Sequence, residues 1–221
     1  MHTIVKKLNL VTNRVNEVIQ TKQLKTVPKI IAVSKTFHID KITPLIEFGH
    51  LHFGENKIQE AEDKWTDIKN NNKALQLHMV GNLQSNKAKR AVKLFDYIHS
   101  LDTVSLAKKI SFFSKEFKKN IKIFIQVNLG EEIQKSGIPI NEIDKFYNFC
   151  TNELSLNIIG LMCLPPINSN PDSYFKILKD KSNSLNLNEL SMGMSGDYEK
   201  AVLNGSTYLR LGTEIFGKRN I

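Results

Sequence analysis

The sequence predicts an α/β fold: a single (β/α)8 barrel of TIM type over residues 1–221, with an extra helix before the first strand. Three observations carry this. Short apolar runs alternate with amphipathic stretches from Pro28 onward, the pattern of parallel βαβ units. The runs number eight, the strand count of a closed barrel. No glycine-rich dinucleotide fingerprint follows the first run, which argues against an open doubly wound sheet.

Each element has its own signal. Residues 2–23 place Ile4, Leu8, Val11, Val15 and Val18 at helical spacing, and Pro28 stops that helix. The strand candidates are Lys29–Ser34, His50–Phe53, Leu75–Val80, Tyr97–His99, Ile121–Asn128, Asn157–Met162, Glu189–Met192 and Tyr208–Leu211. All are short, rich in Ile, Val, Leu, Phe or Tyr, and closed by Gly, Ser, Asn or a charged residue. The intervening stretches keep three- and four-residue apolar spacing, as in Leu106, Ile110, Phe113 and Phe117. Pro165-Pro166 and Asn168–Pro171 mark a loop after the sixth strand.

The composition is that of an ordinary globular chain, with 41% hydrophobic and 24% charged residues. The 31 Lys+Arg against 22 Asp+Glu give a net charge of +9. The lysines are scattered through a sequence also rich in Asn and Ile, and no nucleic-acid-binding motif accompanies them. Nucleic acid is therefore not an expected partner. Lys6, Lys7, Arg14 and Glu17 break up the N-terminal stretch, so it does not read as a signal peptide. No run reaches the roughly 20 apolar residues needed to cross a bilayer. Cys150 and Cys163 have neither a redox nor a metal spacing and read as buried free thiols. The expected location is the cytoplasm, without membrane association.

In such a barrel the active site lies at the carboxyl ends of the strands. Those ends here are polar and glycine-rich, with Lys35 closing the first strand. Partial burial or cationic neighbours lower a lysine's pKa and leave an amine able to attack an aldehyde. Two downstream turns are candidate phosphate cradles: Gly193-Met194-Ser195-Gly196 and Gly212-Thr213. Each follows a strand with glycine, a hydroxyl residue and the start of a helix, where backbone N–H groups face an anion. The last two strands are where these barrels hold phosphate.

Seven motifs taken together carry a family resemblance. They are Ala32-Val33-Ser34-Lys35-Thr36, His52-Phe53-Gly54-Glu55-Asn56, the stretch His78 to Lys87, Lys135-Ser136-Gly137, Gly160-Leu161-Met162, Leu190 to Ser195, and Arg210-Leu211-Gly212-Thr213. In this order the chain resembles the pyridoxal phosphate homeostasis proteins, which resemble in turn the barrel domain of alanine racemase. The resemblance implies pyridoxal 5′-phosphate as cofactor, held as a Schiff base on Lys35. It further implies Ser195, Gly212 and Thr213 as phosphate contacts, Arg210 facing the pyridine nitrogen, and Asn56 beside the ring.

Such a site favours binding over turnover. Arginine cannot accept a proton, and its charge opposes protonation of the ring nitrogen, so the cofactor is a weak electron sink. A racemase needs a second base, which the racemases take from a second domain. That domain is not expected here, and Tyr198 reads as a side chain on an exposed helix turn. The expectation is a monomeric binding protein that stores, buffers or delivers pyridoxal phosphate, with apo-enzymes that use it as recipients. The alternatives are a weak racemase or lyase using the cofactor, and a Schiff-base aldolase acting on a phosphosugar through Lys35. Lys135 is a candidate second amine near the mouth, and His78 reads as a satisfied core histidine.

Overall fold

A computed structural model describes residues 1–130, 136–166 and 169–218. The chain opens with α1 (Thr3–Thr21), then runs β1 (Lys29–Val33), α2 (Ile39–Glu47), β2 (His52–Glu55), α3 (Ile58–Asn71) and β3 (Gln76–Met79). It continues through α4 (Ala88–Leu94), β4 (Tyr97–Leu101), α5 (Val104–Glu116), β5 (Lys122–Asn128), β6 (Ile138–Pro139) and α6 (Ile143–Asn148). It closes with β7 (Ile158–Cys163), α7 (Pro171–Ser184), β8 (Glu189–Ser191), α8 (Tyr198–Leu203), β9 (Tyr208–Leu211) and α9 (Thr213–Phe216).

The sheet order is β4-β3-β2-β1-β9-β8-β7-β5, and β4 also pairs with β5, so the ring closes. The pairings are parallel, as a barrel built from βα units requires. This is the expected eight-stranded barrel. β6 is an addition to it, laid beside β5 with Val127 opposite Ile138. Two residues carry no periodicity, and Pro139 has no N–H to extend the ladder, so the sequence gives no sign of this strand.

Side-chain alternation sorts the strands into two cores. Ala32, Phe53, Leu77, Ile98, Ile125, Leu161, Leu190 and Leu209 face outward and are buried under the helices. Ile31, Val33, Tyr97, Phe124, Met162 and Tyr208 form a separate inner cluster. The inner face also holds polar groups, with His78, His99, Ser191 and Arg210 buried on it. The outer core holds a buried carboxylate at Glu55, which lies within β2 rather than in the turn after it.

α1 spans nearly the predicted range. Ile4, Leu8, Val11 and Val15 are its buried face, and it packs on α2, α8 and α9. The extra helix thus covers the seam between the chain's first and last βα units.

Candidate functional site

A cavity of about 540 Å³ opens among the turns that follow the strands, a volume usual for small-molecule sites. Lys35 and Asn56 both line it, together with Gly81, Asn82, Gln126 and Ser136.

Lys35 stands on a braced piece of backbone. The Ser34 amide donates to Gly54 O at 2.9 Å, and the buried Ser34 hydroxyl donates to Glu55 Oε1 at 2.7 Å. From α3, Lys64 Nζ donates to Ser34 O and to Glu55 Oε1, each at 2.9 Å. Trp65 Nε1 donates to the same carboxylate oxygen at 3.0 Å. On the other side, Thr36 has φ of +69°, a left-handed conformation that is an outlier for a β-branched residue and costs about 1–3 kcal/mol. Its amide donates to the Glu60 carboxylate, which Lys64 also holds at 3.0 Å. Helix α3 therefore fixes the residues before and after Lys35.

Asn56 carries an open valence. Its Oδ1 is buried without a hydrogen-bond partner among the described residues, while the residue lines the cavity. A buried acceptor left unpaired is costly. Gly81 packs against it so tightly that a Cβ there would stand 2.4 Å from Asn56 O. Only glycine fits.

The two cradle turns come together. Gly193 has φ of +93°, and a Cβ on it would lie 2.5 Å from the Ala201 Cβ. That geometry admits glycine alone and sets the turn that presents Ser195. The Glu214 amide donates to Ser195 Oγ at 3.4 Å, joining this turn to the start of α9 at Thr213. Ala32 pairs with Leu211 across β1 and β9, and a Cβ on Gly212 would stand 3.3 Å from Val33 O. The Gly212-Thr213 turn therefore sits beside the strand end that carries Lys35. Ser195, Gly212 and Thr213 do not themselves line the 540 Å³ cavity, but Met194, next to Ser195, does.

Arg210 lies on the inner face of β9 and is buried. Its Nη1 donates to Ser191 Oγ at 2.6 Å and its Nη2 to Cys163 O at 2.9 Å. Burial lowers its pKa, but a guanidinium stays charged under ordinary conditions. Burial also pushes the Cys163 thiol up to about 12, so it is inert at neutral pH.

Several site residues escaped the sequence reading. Gln126 Nε2 donates to Ser136 O at 2.9 Å and Asn82 Nδ2 to Ser136 Oγ at 2.8 Å, tying Ser136 into the cavity wall. A signal existed for Gln126, a polar residue set inside the apolar run Ile123 to Val127. Ser191 and His99, which sit behind Arg210, gave none that separates them from core residues. Lys135 lies outside the described residues. Tyr198 opens α8 half-buried against the core rather than on an exposed turn, and burial raises its phenol pKa. His78 is the satisfied core histidine expected, bonded to His52 and His99. Among the described residues no group of side chains forms a metal site, and no helix is long and apolar enough to cross a membrane.

Comparison with known proteins gives a consistent result. The family model for the N-terminal domain of alanine racemase matches residues 9–220. A pyridoxal phosphate homeostasis protein of Pasteurella multocida is 34% identical over 211 residues, covering 91% of each chain. One of Synechocystis sp. is 36% identical over 200 residues, covering 86% of this chain and 91% of its own. PipY of Synechococcus elongatus, solved without PLP, matches with a TM-score of 0.82 at 32% identity over 92% of this chain and 100% of that one. The PLP-bound form of PipY matches at 0.78 and 31% identity, with the same coverage. Alanine racemase of Clostridium difficile, at 15% identity and a TM-score of 0.67 over 96% of this chain and 58% of its own, shares the fold. Likeness of this extent, over a barrel with a lysine in the turn after its first strand, makes the chain a member of the pyridoxal phosphate homeostasis family, built on the alanine racemase N-terminal barrel.

Proposed function

We propose that this protein binds pyridoxal 5′-phosphate and stores, buffers or delivers it. The observation that carries the reading is the cavity at the strand ends, lined by both Lys35 and Asn56. When bound, the cofactor supplies an aldehyde with which a primary amine forms a Schiff base. Lys35 would be that amine, held in place by the braced backbone on either side. Ser195 and Thr213 would offer hydroxyls to the phosphate, and Gly212 would let the backbone amides approach it. Asn56 would lie beside the ring, and Arg210 would face the ring nitrogen with a charge that cannot take up a proton.

Storage rather than turnover follows from that last contact, because an arginine partner leaves the ring a weak electron sink. The names of the relatives support the same reading. The recipients are apo-enzymes that use the cofactor, and the protein acts as a monomer in the cytoplasm. A second reading, slow racemase or lyase activity, has the match to the alanine racemase barrel in its favour. The deciding experiment incubates the purified protein with pyridoxal phosphate, desalts it, and measures retained cofactor and its transfer to an apo-transaminase. The proposal expects one cofactor per chain, delivered faster than from free solution at the same total concentration. Loss of all cofactor on desalting would overturn it.

A further inference from the structure

Behind Arg210 a column of hydrogen bonds runs through the middle of the barrel. Arg210 Nη1 lies 2.6 Å from Ser191 Oγ, and Ser191 Oγ lies 2.7 Å from His99 Nδ1. His99 Nε2 is 2.9 Å from His78 Nδ1, and His78 Nε2 is 3.0 Å from His52 Nδ1. Five strands contribute: β9, β8, β4, β3 and β2. Ser191, His99 and His78 are all buried.

The donor count settles which way the hydrogens point. Arginine only donates, and a serine hydroxyl owns a single hydrogen. With Arg210 donating to Ser191 Oγ, that hydrogen has one acceptor among the described residues, His99 Nδ1. His99 must then carry its proton on Nε2 and give it to His78 Nδ1. His78 repeats the pattern toward His52. The opposite polarity would have Ser191 Oγ accept from both Arg210 and His99 and would strand the serine hydrogen in the core. A protonated ring would fail in the same way, and burial keeps both His78 and His99 neutral, with Arg210 adding to the effect on His99.

We propose that Ser191, His99 and His78 are positioning residues for Arg210: the guanidinium imposes a single polarity on the column, and the column in return fixes where the guanidinium meets the ring nitrogen of the cofactor. This rests on the reading of the site as a pyridoxal phosphate site. Aromatic packing keeps the rings from turning. His99 stacks on Phe124 at 4.4 Å between centroids, and His78 on Tyr97 at 4.2 Å. The barrel axis is thereby given over to holding one side chain, at a place where an apolar fill would pack as well.

The test has two arms. Nitrogen NMR of isotope-labelled imidazoles in the wild-type protein reads the tautomers directly. Both His99 and His78 should be protonated at Nε2 and unprotonated at Nδ1 at neutral pH, and Arg210→Met should leave His99 as a mixture. Nδ1 protonation of His99 in the wild type would overturn the proposal, and needs no variant to be seen. The second arm follows labelled ring nitrogen in bound cofactor. Ser191→Ala should move its resonance and weaken binding about tenfold, the loss expected when a charge-assisted contact is misplaced. Ser191→Thr, which keeps the hydroxyl, should restore both. A purely structural serine would leave the ring-nitrogen resonance where it was, and that result would overturn the positioning role. If the wild-type protein takes up no pyridoxal phosphate, the cofactor reading fails and the positioning role falls with it; uptake with the wrong tautomer defeats the column alone.

Discussion

Lys64 Nζ lies 2.9 Å from Glu55 Oε1 where the glutamate is fully buried and the lysine side chain is 8% exposed. A charge pair of this kind is expensive to half-remove, because the remaining ion is left in a poorly solvated place. Lys64→Met should therefore destabilise the protein by about 3–5 kcal/mol. It should also loosen the Ser34 backbone and lower cofactor affinity. Urea unfolding checks the first effect and cofactor titration the second. A stability change under about 1 kcal/mol, the value of an exposed pair, would show that the pair is better solvated than its burial suggests.

Lys35→Ala should abolish the borohydride-trapped pyridoxyl label while leaving weaker, reversible cofactor binding through the cradle. Peptide mass mapping after reduction locates the label in the wild type. A label on any other lysine refutes the assignment of Lys35.

In the proposed site, Ser195→Ala and Thr213→Ala would each remove a hydrogen bond to a charged phosphate, worth roughly 1.5–3 kcal/mol. Affinity should fall about tenfold to a hundredfold per site, with the label on Lys35 retained. Unchanged affinity in both variants would remove these turns from the site.

Stability should fall on mild acidification. His50 and His52 are held down to about 4, chiefly by burial, and His78 and His99 well below the ordinary 6.5. Unfolded, each titrates near about 6.5. The native chain thus binds fewer protons than the unfolded one, so the stability held above about pH 6.5 is lost progressively below it. Each fully buried ring contributes a slope approaching 1.4 kcal/mol per pH unit, to order of magnitude. Urea midpoints measured from neutrality down to about pH 5 should decline. A flat profile would mean that these rings are charged in the native state.

With L- or D-alanine the protein should show no exchange of the Cα hydrogen above that catalysed by free pyridoxal phosphate. Solvent-deuterium incorporation followed by NMR is the measurement. Exchange well above the free-cofactor rate, absent in Lys35→Ala, would favour the racemase or lyase reading.

Much of this architecture is written in local pattern. The barrel strands were visible because an alternating or continuous apolar run closed by a polar residue is a local signal. β9 occupies the predicted Tyr208–Leu211, whereas β2 runs two residues further than its apolar run, through Glu55. Glu55 was misplaced because a carboxylate inside a strand looks like a strand end until α3 brings Lys64 and Trp65 to it. The π-helical turn at Phe149–Glu153 that extends α6 is likewise a tertiary product. Lys35 and Asn56 were legible as strand-end residues in a barrel. Ser191 and His99 were not, since a serine and a histidine in apolar runs have no local feature that announces a partner 92 positions apart in sequence.

The pairing of β1 with β9 bears on how the protein is made. Lys29 Nζ reaches the Tyr208 hydroxyl across 179 positions of sequence, so the barrel closes through strands made far apart in time. During synthesis β1 leaves the ribosome long before β9, so until β9 has been made one edge of β1 has no strand to pair with. The ring therefore closes late, and the chain before that point is an open sheet with a free edge. A ligand that binds the closed barrel and not the open sheet adds to stability only from that moment on.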